Sequence, residues 1–402
     1  MKILVIHQVP YRKISYHLGI DHDLHDVTYI GRPMSLRQIP GDLRCSRIPL
    51  DEDDDLASGV TARVQPSDGY DKVLSLSEFG ILEAVDIRRH LGLPGPSAAR
   101  IELVRDKVRM KEALAGSGIR HPRFVSAPPA CGPLPWSGKT VLKPRSGASS
   151  EGVMVLDTAR EALCAYRKLP DPGSYQLEEH IEGDILHIDG LMQDGRFLEL
   201  ATSRYINKPV EFAGGLPLGS HQIPLTEAHR DLAREVSIAL GIEDGCVHLE
   251  AFHTADDELV FLEVANRVGG AGVVTAHERR YGVHLPSHEI AVRLGLERPP
   301  TAEPSGRYHG WLAFPGHHLP AGTAEVVLPA GLADHPCVDQ MYVLPADRPL
   351  PSHITYQEWE CPVFIEASHT DAEELGRFLR ACADGITVGS GTRVPAVLGS
   401  AA

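Results

Sequence analysis

A chain of 402 residues, 43% hydrophobic and 23% charged, has material for two to four ordinary globular domains. Its formal net charge of -15 excludes the footprint of a general nucleic-acid binder, so any phosphate chemistry must rest on Lys and Arg gathered locally. No stretch approaches the ~18–20 apolar residues of a membrane span, and the seven scattered cysteines, odd in number and without a C-x-x-C pair, read as reduced thiols of a cytoplasmic protein.

Residues 1–96 alternate strand and helix. Ile3–Ile6, Val27–Ile30 and Lys72–Ser77 read as strands and Glu78–Gly92 as a helix, which predicts a parallel, Rossmann-like sheet. The Ile3–Ile6 run is also too short for a signal-peptide core. His7-Gln8-Val9-Pro10 follows the first strand, so the dinucleotide fingerprint G-x-G-x-x-G is absent. The turn Leu93–Ser97 closes this α/β domain.

Residues 97–305 form a second domain, with a small lobe at about 120–183 and a large lobe at about 184–305. It opens on a helix from Ala98 to about Gly116, then a Pro- and Gly-rich loop over 126–138. The strand Thr140–Pro144, the strand Val153–Leu156, a helix from Thr158 to Lys168 and the strand Tyr175–Ile181 follow. A hairpin over Ile185–Thr202 turns at Asp194-Gly195. The segment from Ser203 to His221 reads as a mobile polar loop, and Thr226 caps a helix reaching Leu240. Cys246–Phe252 and Glu258–Val264 are two strands joined by a polar turn. Residues 306–402 read as a smaller α+β region with one helix, Asp371–Ala383.

Three elements carry chemistry. In the first, the strand ending at Lys143-Pro144 runs into Ser146-Gly147-Ala148-Ser149-Ser150-Glu151-Gly152, small residues that let backbone N–H groups approach an anion beside a lysine. In the second, Glu250 and Glu263 sit in apolar strands, where an unpaired carboxylate is costly, and can converge as oxygen ligands for Mg²⁺. Arg267 follows with a fork suited to a carboxylate or phosphate, and Gly269 and Gly270 allow a sharp turn. In the third, Arg105, Lys107, Arg109 and Lys111 make a basic helix face that, taken alone, is a solvated one.

Two lures are set aside. Gly132–Thr140 nearly spells a P-loop, but its glycine spacing is wrong and a strand follows it. The pairs His22/His25 and His284/His288 read as solvated or capping histidines rather than metal ligands, since Pro286 interrupts the second pair.

The order of these blocks is specific. Arg105-Asp106-Lys107 with Met110-Lys111, then Gly118–Phe124, Leu142–Val153, Leu177-Glu178-Glu179-His180-Ile181-Glu182-Gly183, His248 with Glu250, and Leu262–Gly270 together resemble the ATP-grasp superfamily over roughly residues 70–300. The H-x-E and E-x-x-x-R signatures look most like its L-amino acid ligase branch. The D-alanine–D-alanine ligases and the purine-pathway ligases are more distant.

That resemblance implies an ATP-grasp fold clamping ATP between two α+β lobes. It implies Lys107 and Lys143 on the phosphates and Ser146, Gly147, Ser149, Ser150 and Gly152 closing over them. Glu178, Glu179 and Ile181 would line the adenine pocket, and Asp184, with Glu182 as the fallback, would hold the ribose. Glu250 and Glu263 would hold Mg²⁺, expected as two ions, and Arg267 would act in catalysis with Lys143. Ala265 stands where many relatives have a metal-binding Asn, and Asn266, one position on, should point away from the metal.

Candidate substrate contacts are Glu78, Arg204, His221, Gly269 and Gly270, with an N-terminal helix carboxylate as the competing reading of Glu78. The expected activity is ATP- and Mg-dependent joining of a small-molecule carboxylate to an amine through an acyl phosphate, on amino acids or a natural-product intermediate. The alternatives are a primary-metabolism ligase of purine-pathway type and a non-catalytic ATP-binding relative. No nucleic-acid or membrane partner is expected, and a homodimer is left open.

Overall fold

The structure is a computed structural model that describes residues 1–126 and 133–391. Cys131, Gly132 and part of the Pro- and Gly-rich loop lie outside the described residues.

The N-terminal sheet contains β1 (Lys2–Ile6), β2 (Asp26–Gly31), β3 (Ser46–Pro49) and β4 (Lys72–Ser75), all parallel in the order β3-β2-β1-β4. The unbroken apolar run of β1 is explained by burial on both faces. Ile3 and Val5 enter one core with Tyr29, while Leu4 and Ile6 enter another with Val60 and Ile87. The first core is completed by Ile290 and Leu294 of the helix Leu285–Leu294, so packing crosses the sequence boundary expected at residue 96.

A second, antiparallel sheet forms the small lobe: β5 (Phe124–Val125), β6 (Thr140–Pro144), β7 (Met154–Leu156) and β8 (Tyr175–Glu179), in the order β5-β8-β6-β7. Leu142 and Leu177 pack beneath Ala162 and Leu163 of the helix Ala159–Tyr166.

The large sheet has eight antiparallel strands. They are β9 (Asp184–Gln193), β10 (Arg196–Tyr205), β11 (Leu218–Ile223), β12 (Gly245–His253), β13 (Leu259–Ala265), β14 (Tyr308–Phe314), β16 (Val338–Val343) and β17 (Val363–His369). Their order is β13-β12-β9-β10-β11-β14-β17-β16, and a separate pair joins β15 (Thr323–Val327) to β18 (Thr387–Gly391). The C-terminal strands β14, β17 and β16 thus extend the large sheet.

Several expectations hold and several change. The hairpin turns at Asp194 and Gly195, both at positive φ as a two-residue turn requires. Thr226 caps the helix Glu227–Ala239 by accepting from His229 N. The single helix expected from Ala98 breaks into Ala98–Glu102 and Lys107–Ala113, because Asp106 caps the second piece and Arg145 forks onto Asp106. The segment expected as a mobile loop contains the helix Pro209–Ala213 and runs into the fully buried strand β11, which pairs with β10 and β14.

His22 is neither solvated nor capping. It is buried, with hydrogen bonds to Tyr29 Oη and Ile20 O. His284 does cap a helix, and Pro286 sits harmlessly in that helix's first turn. The six described cysteines are free. No helix among the described residues is long and apolar enough to cross a membrane.

Candidate active site

The cleft lies where the small lobe faces β12 and β13. Glu250 on β12 stands directly opposite Glu263 on β13, and the register slips by one residue just beyond them. The extra residue on β13 is a bulge, a device that re-aims neighbouring side chains. Tyr205 Oη donates to Glu250 at 2.8 Å. Burial and Glu250 raise the Tyr205 hydroxyl well above its ordinary range, so it stays a donor. Lys107 Nζ stands 3.5 Å from Glu263 and donates to Gly147 O at 3.0 Å, tying the loop of small residues to the carboxylates. Burial raises the Glu263 carboxyl, but Lys107, Lys143 and Lys111 outweigh it and hold Glu263 below the usual range. Within that loop Ser149 and Ser150 both take left-handed backbone, a conformation that costs roughly 1–2 kcal/mol per non-glycine residue and gathers at functional sites.

At the phosphate side of the cleft is a buried ion triad. Lys111 and Lys143 both pair with Glu178, Lys143 at 2.9 Å, and all three side chains are at most 5% exposed. Burial lowers Lys111 to about 8 against the pull of Glu178. For Lys143, burial is outweighed by Glu178 and Glu263, and its ammonium is raised. Lys111 therefore does not belong to a solvated helix face. The signal was its spacing, i,i+4 from Lys107, which puts both lysines on one side of the helix.

The substrate side is a cavity of about 430 Å³ between the C-terminal ends of β1 and β4 and the large sheet. Glu78 sits there between two guanidiniums, Arg105 and Arg267 Nε, the latter at 2.6 Å. Burial alone would raise its carboxyl, but the two arginines hold it below the usual range. Glu78 is thus no helix-dipole carboxylate: the helix begins later, at Glu83. Gly269 is required by close approach, since a Cβ there would stand 2.8 Å from Asp189 Oδ1 and 3.0 Å from His248 Nδ1. Gly270 also lines the cavity.

One buried chain was missed by sequence reasoning. Ser220, His187, Asp189 and His248 are linked in turn, with His248 Nδ1 at 2.7 Å from Asp189 and His248 Nε2 at 3.5 Å from Glu250. Burial opposes charge on His248, yet Asp189 and Glu250 raise it to about 9. Of the described residues, only His187, Asp189 and His248 bring three or more His, Cys, Asp or Glu ligand atoms within 4.8 Å of one another. Their direct hydrogen bonds leave no room for an ion, whose ligands stand ~2.0–2.2 Å from it.

The remaining expected residues divide. Ser146, Ser150, Glu178, Glu179 and Ile181 line the second part of the cleft, whose walls include Val141, Val155, Phe252 and Leu262. Gly152 stands beside Pro144 and Tyr175 at positive φ. Asp184 does not line the cleft: it is exposed and lies 3.7 Å from Arg204. Glu182 is exposed too, beside Lys139 and Lys208.

Arg204 and His221 are not among the residues lining the cavity. They are cross-strand partners on the sheet face opposite to Tyr205, and His221 packs against Gly376 of the C-terminal helix. Alternation along β10 sends Tyr205, one residue on, into the site. Asn266 turns away as expected, donating to Asp244 O and Cys246 O.

Residues 104–271 match the family model described as an ATP-grasp domain. That stretch is similar to ATP-grasp domains. A curated relative from Bacillus subtilis, the L-arginine-specific L-amino acid ligase, is 26% identical over 264 residues. That alignment covers 61% of this chain and spans 63% of the relative's length. The crystal structure of an L-amino acid ligase from Bacillus licheniformis superposes with a TM-score of 0.69 at 20% identity, covering 97% of this chain and 98% of that one. The biotin carboxylase domain of 2-oxoglutarate carboxylase from Hydrogenobacter thermophilus, solved with MgADP, gives 0.65 at 15% identity over 97% and 90% of the two chains. These likenesses establish the ATP-grasp fold, with a parallel N-terminal sheet and antiparallel sheets elsewhere.

Proposed function

We propose that this protein is an ADP-forming carboxylate–amine ligase acting on small molecules, most like the L-amino acid ligases. The observation that carries the reading is the convergence of Glu250, Glu263, Lys107 and Arg267 on one cavity that also reaches the loop of small residues.

The donor set suits the cofactor and the nucleotide. Two opposed carboxylates offer oxygen ligands to a hard cation, and neither is consumed by a close lysine pair. Magnesium bound there would neutralise phosphate charge as the phosphoryl group moves. Val141, Val155, Ile181, Phe252 and Leu262 give apolar walls for a flat base, and Lys143 and Lys107 supply positive charge at the loop end.

In the reaction, a carboxylate oxygen attacks the γ-phosphorus of ATP, and the bond to the β-bridging oxygen breaks to release ADP. The amine then attacks the carbonyl carbon of the acyl phosphate, loses a proton, and phosphate leaves with the carboxylate's oxygen. A free carboxylate lacks a leaving group, so this activation is the obligatory step. Arg267, oriented by Glu78, would hold the carboxylate and stabilise the tetrahedral centre. Glu78 is also the carboxylate placed to receive a substrate amino group. Tyr205 and protonated His248 fix Glu250. Cytoplasmic location, a role in natural-product synthesis and the number of ions belong to the same proposal.

The test is incubation with Mg-ATP, hydroxylamine and a panel of carboxylates. Hydroxamate with ADP supports the reading. AMP with pyrophosphate points to an adenylate and defeats it.

A further inference from the structure

We propose that the carboxylate substrate carries an uncharged, apolar side chain, and that a cationic side chain such as arginine's is refused. The inference rests on the ligase reading and names the substrate class of the same cavity.

The cavity lining is of two kinds. Lys107, Glu250, Glu263 and Arg267 supply charge, where a carboxylate would meet the nucleotide. The rest of the wall includes Ile14, Leu76, Phe79, Leu218, Val273 and Trp311. A carboxylate held at Arg267 must send the rest of its molecule along these walls, and burying apolar surface there is favourable.

A guanidinium or ammonium group needs a counter-charge when it leaves water. On the ligase reading no carboxylate among the described lining residues is left for a side chain. Glu78 bridges Arg105 and Arg267 and is the one placed for the substrate amino group, while Glu250, held by Tyr205 beside His248, and Glu263, facing Lys107, are kept for the metal. Glu358, next to the wall residue Gln357, pairs with Lys13 at 2.5 Å and with Arg12. Lys13 itself lines the cavity, so a cationic side chain would meet a like charge where it needs an opposite one. The arrangement contrasts with the specificity named for the Bacillus subtilis relative, whose alignment with this chain covers 61% of it. The difference would therefore lie in the cavity walls rather than in the metal and phosphate machinery.

The experiment uses the full chain with saturating Mg-ATP and hydroxylamine. The acids are leucine, phenylalanine, arginine, lysine, and the amino-free analogues 4-methylpentanoate and 3-phenylpropanoate. Trapping consumes one ATP per hydroxamate and releases ADP and phosphate, so both are read. We expect the best apolar acid to exceed arginine and lysine by at least about tenfold in kcat/KM, about 1.4 kcal/mol. Arginine or lysine matching or exceeding it overturns the inference while leaving the ligase reading intact. No hydroxamate from any acid, or AMP in place of ADP, overturns the ligase reading and this inference with it. Val274 lines the same wall in the first turn of the helix Val273–Tyr281, where a carboxylate suits the helix N-terminus. Val274→Glu should shift the leucine-to-arginine ratio towards arginine by about tenfold. An unchanged ratio in the folded variant counts against the wall facing the side chain and overturns the assignment.

Discussion

Two regions of the cleft hold carboxylates among lysines, and they are built differently. In the small lobe Glu178 is 2% exposed and saturated by Lys111 and Lys143. On the large sheet Glu263 is 32% exposed and has a single lysine contact, at 3.5 Å. A carboxylate whose lone pairs are filled by its own protein is a fixture that sets the position of other groups. One that faces open space, opposite a second carboxylate, is available to a cation and a phosphate. On the proposed reading the same residue type serves structure in one lobe and chemistry in the other.

This contrast can be broken or sharpened by substitution. Glu263→Gln should lower kcat by at least about 10³-fold, on the scale of losing transition-state charge stabilisation, with little change in melting temperature. Retained turnover would mean the metal position is elsewhere. Glu178→Gln should do the reverse in kind. Leaving two buried lysines without a counter-charge should cost about 3–5 kcal/mol in denaturant unfolding. A stable Glu178→Gln protein would erase the distinction between the two carboxylates.

Arg267→Lys keeps the charge but loses the fork, and should lower kcat/KM by about 10²-fold. Its thermal stability should hold, and steady-state kinetics beside a melting curve checks both. Asp189 tests the chain behind Glu250. Burial alone would raise its carboxyl, but His187 and His248 hold it below the ordinary value of 3.8. Its contribution to stability is therefore present above about pH 4 and lost as pH falls through the folded value. Asp189→Asn should cost about 1.5–3 kcal/mol at neutral pH and flatten the loss of stability in acid. A wild-type slope in the variant would show that Asp189 is not the titrating group. The smallest effect is expected at Arg204→Ala. This arginine lies on the far sheet face in long, partly exposed ion pairs, so activity should stay within about twofold.

The charged lining of the large lobe's cavity was legible in sequence because a carboxylate inside an apolar strand is conspicuous. Glu250 and Glu263 stand out in this way, and Arg267 follows at a fixed spacing. The N-terminal parallel sheet was legible for the same reason, from the unbroken run of β1. Other features depend on the third dimension. Lys111 looks solvated until its partner Glu178 arrives from a strand 67 residues away. Arg204 and Tyr205 are neighbours in sequence, and only the register of β10 decides which of them faces the cleft. The buried strand β11 was hidden by glycines and prolines around it, which mimic a loop. Asp184 seemed well placed for a ribose, yet the start of β9 carries it away from the cleft to Arg204.

The central claim is transfer of the γ-phosphoryl group to a carboxylate oxygen. It is tested most directly by supplying an ¹⁸O-labelled carboxylate with Mg-ATP and an amine and reading the released phosphate by mass. The account predicts ADP together with inorganic phosphate that carries one ¹⁸O from the carboxylate. Label appearing in AMP would contradict it.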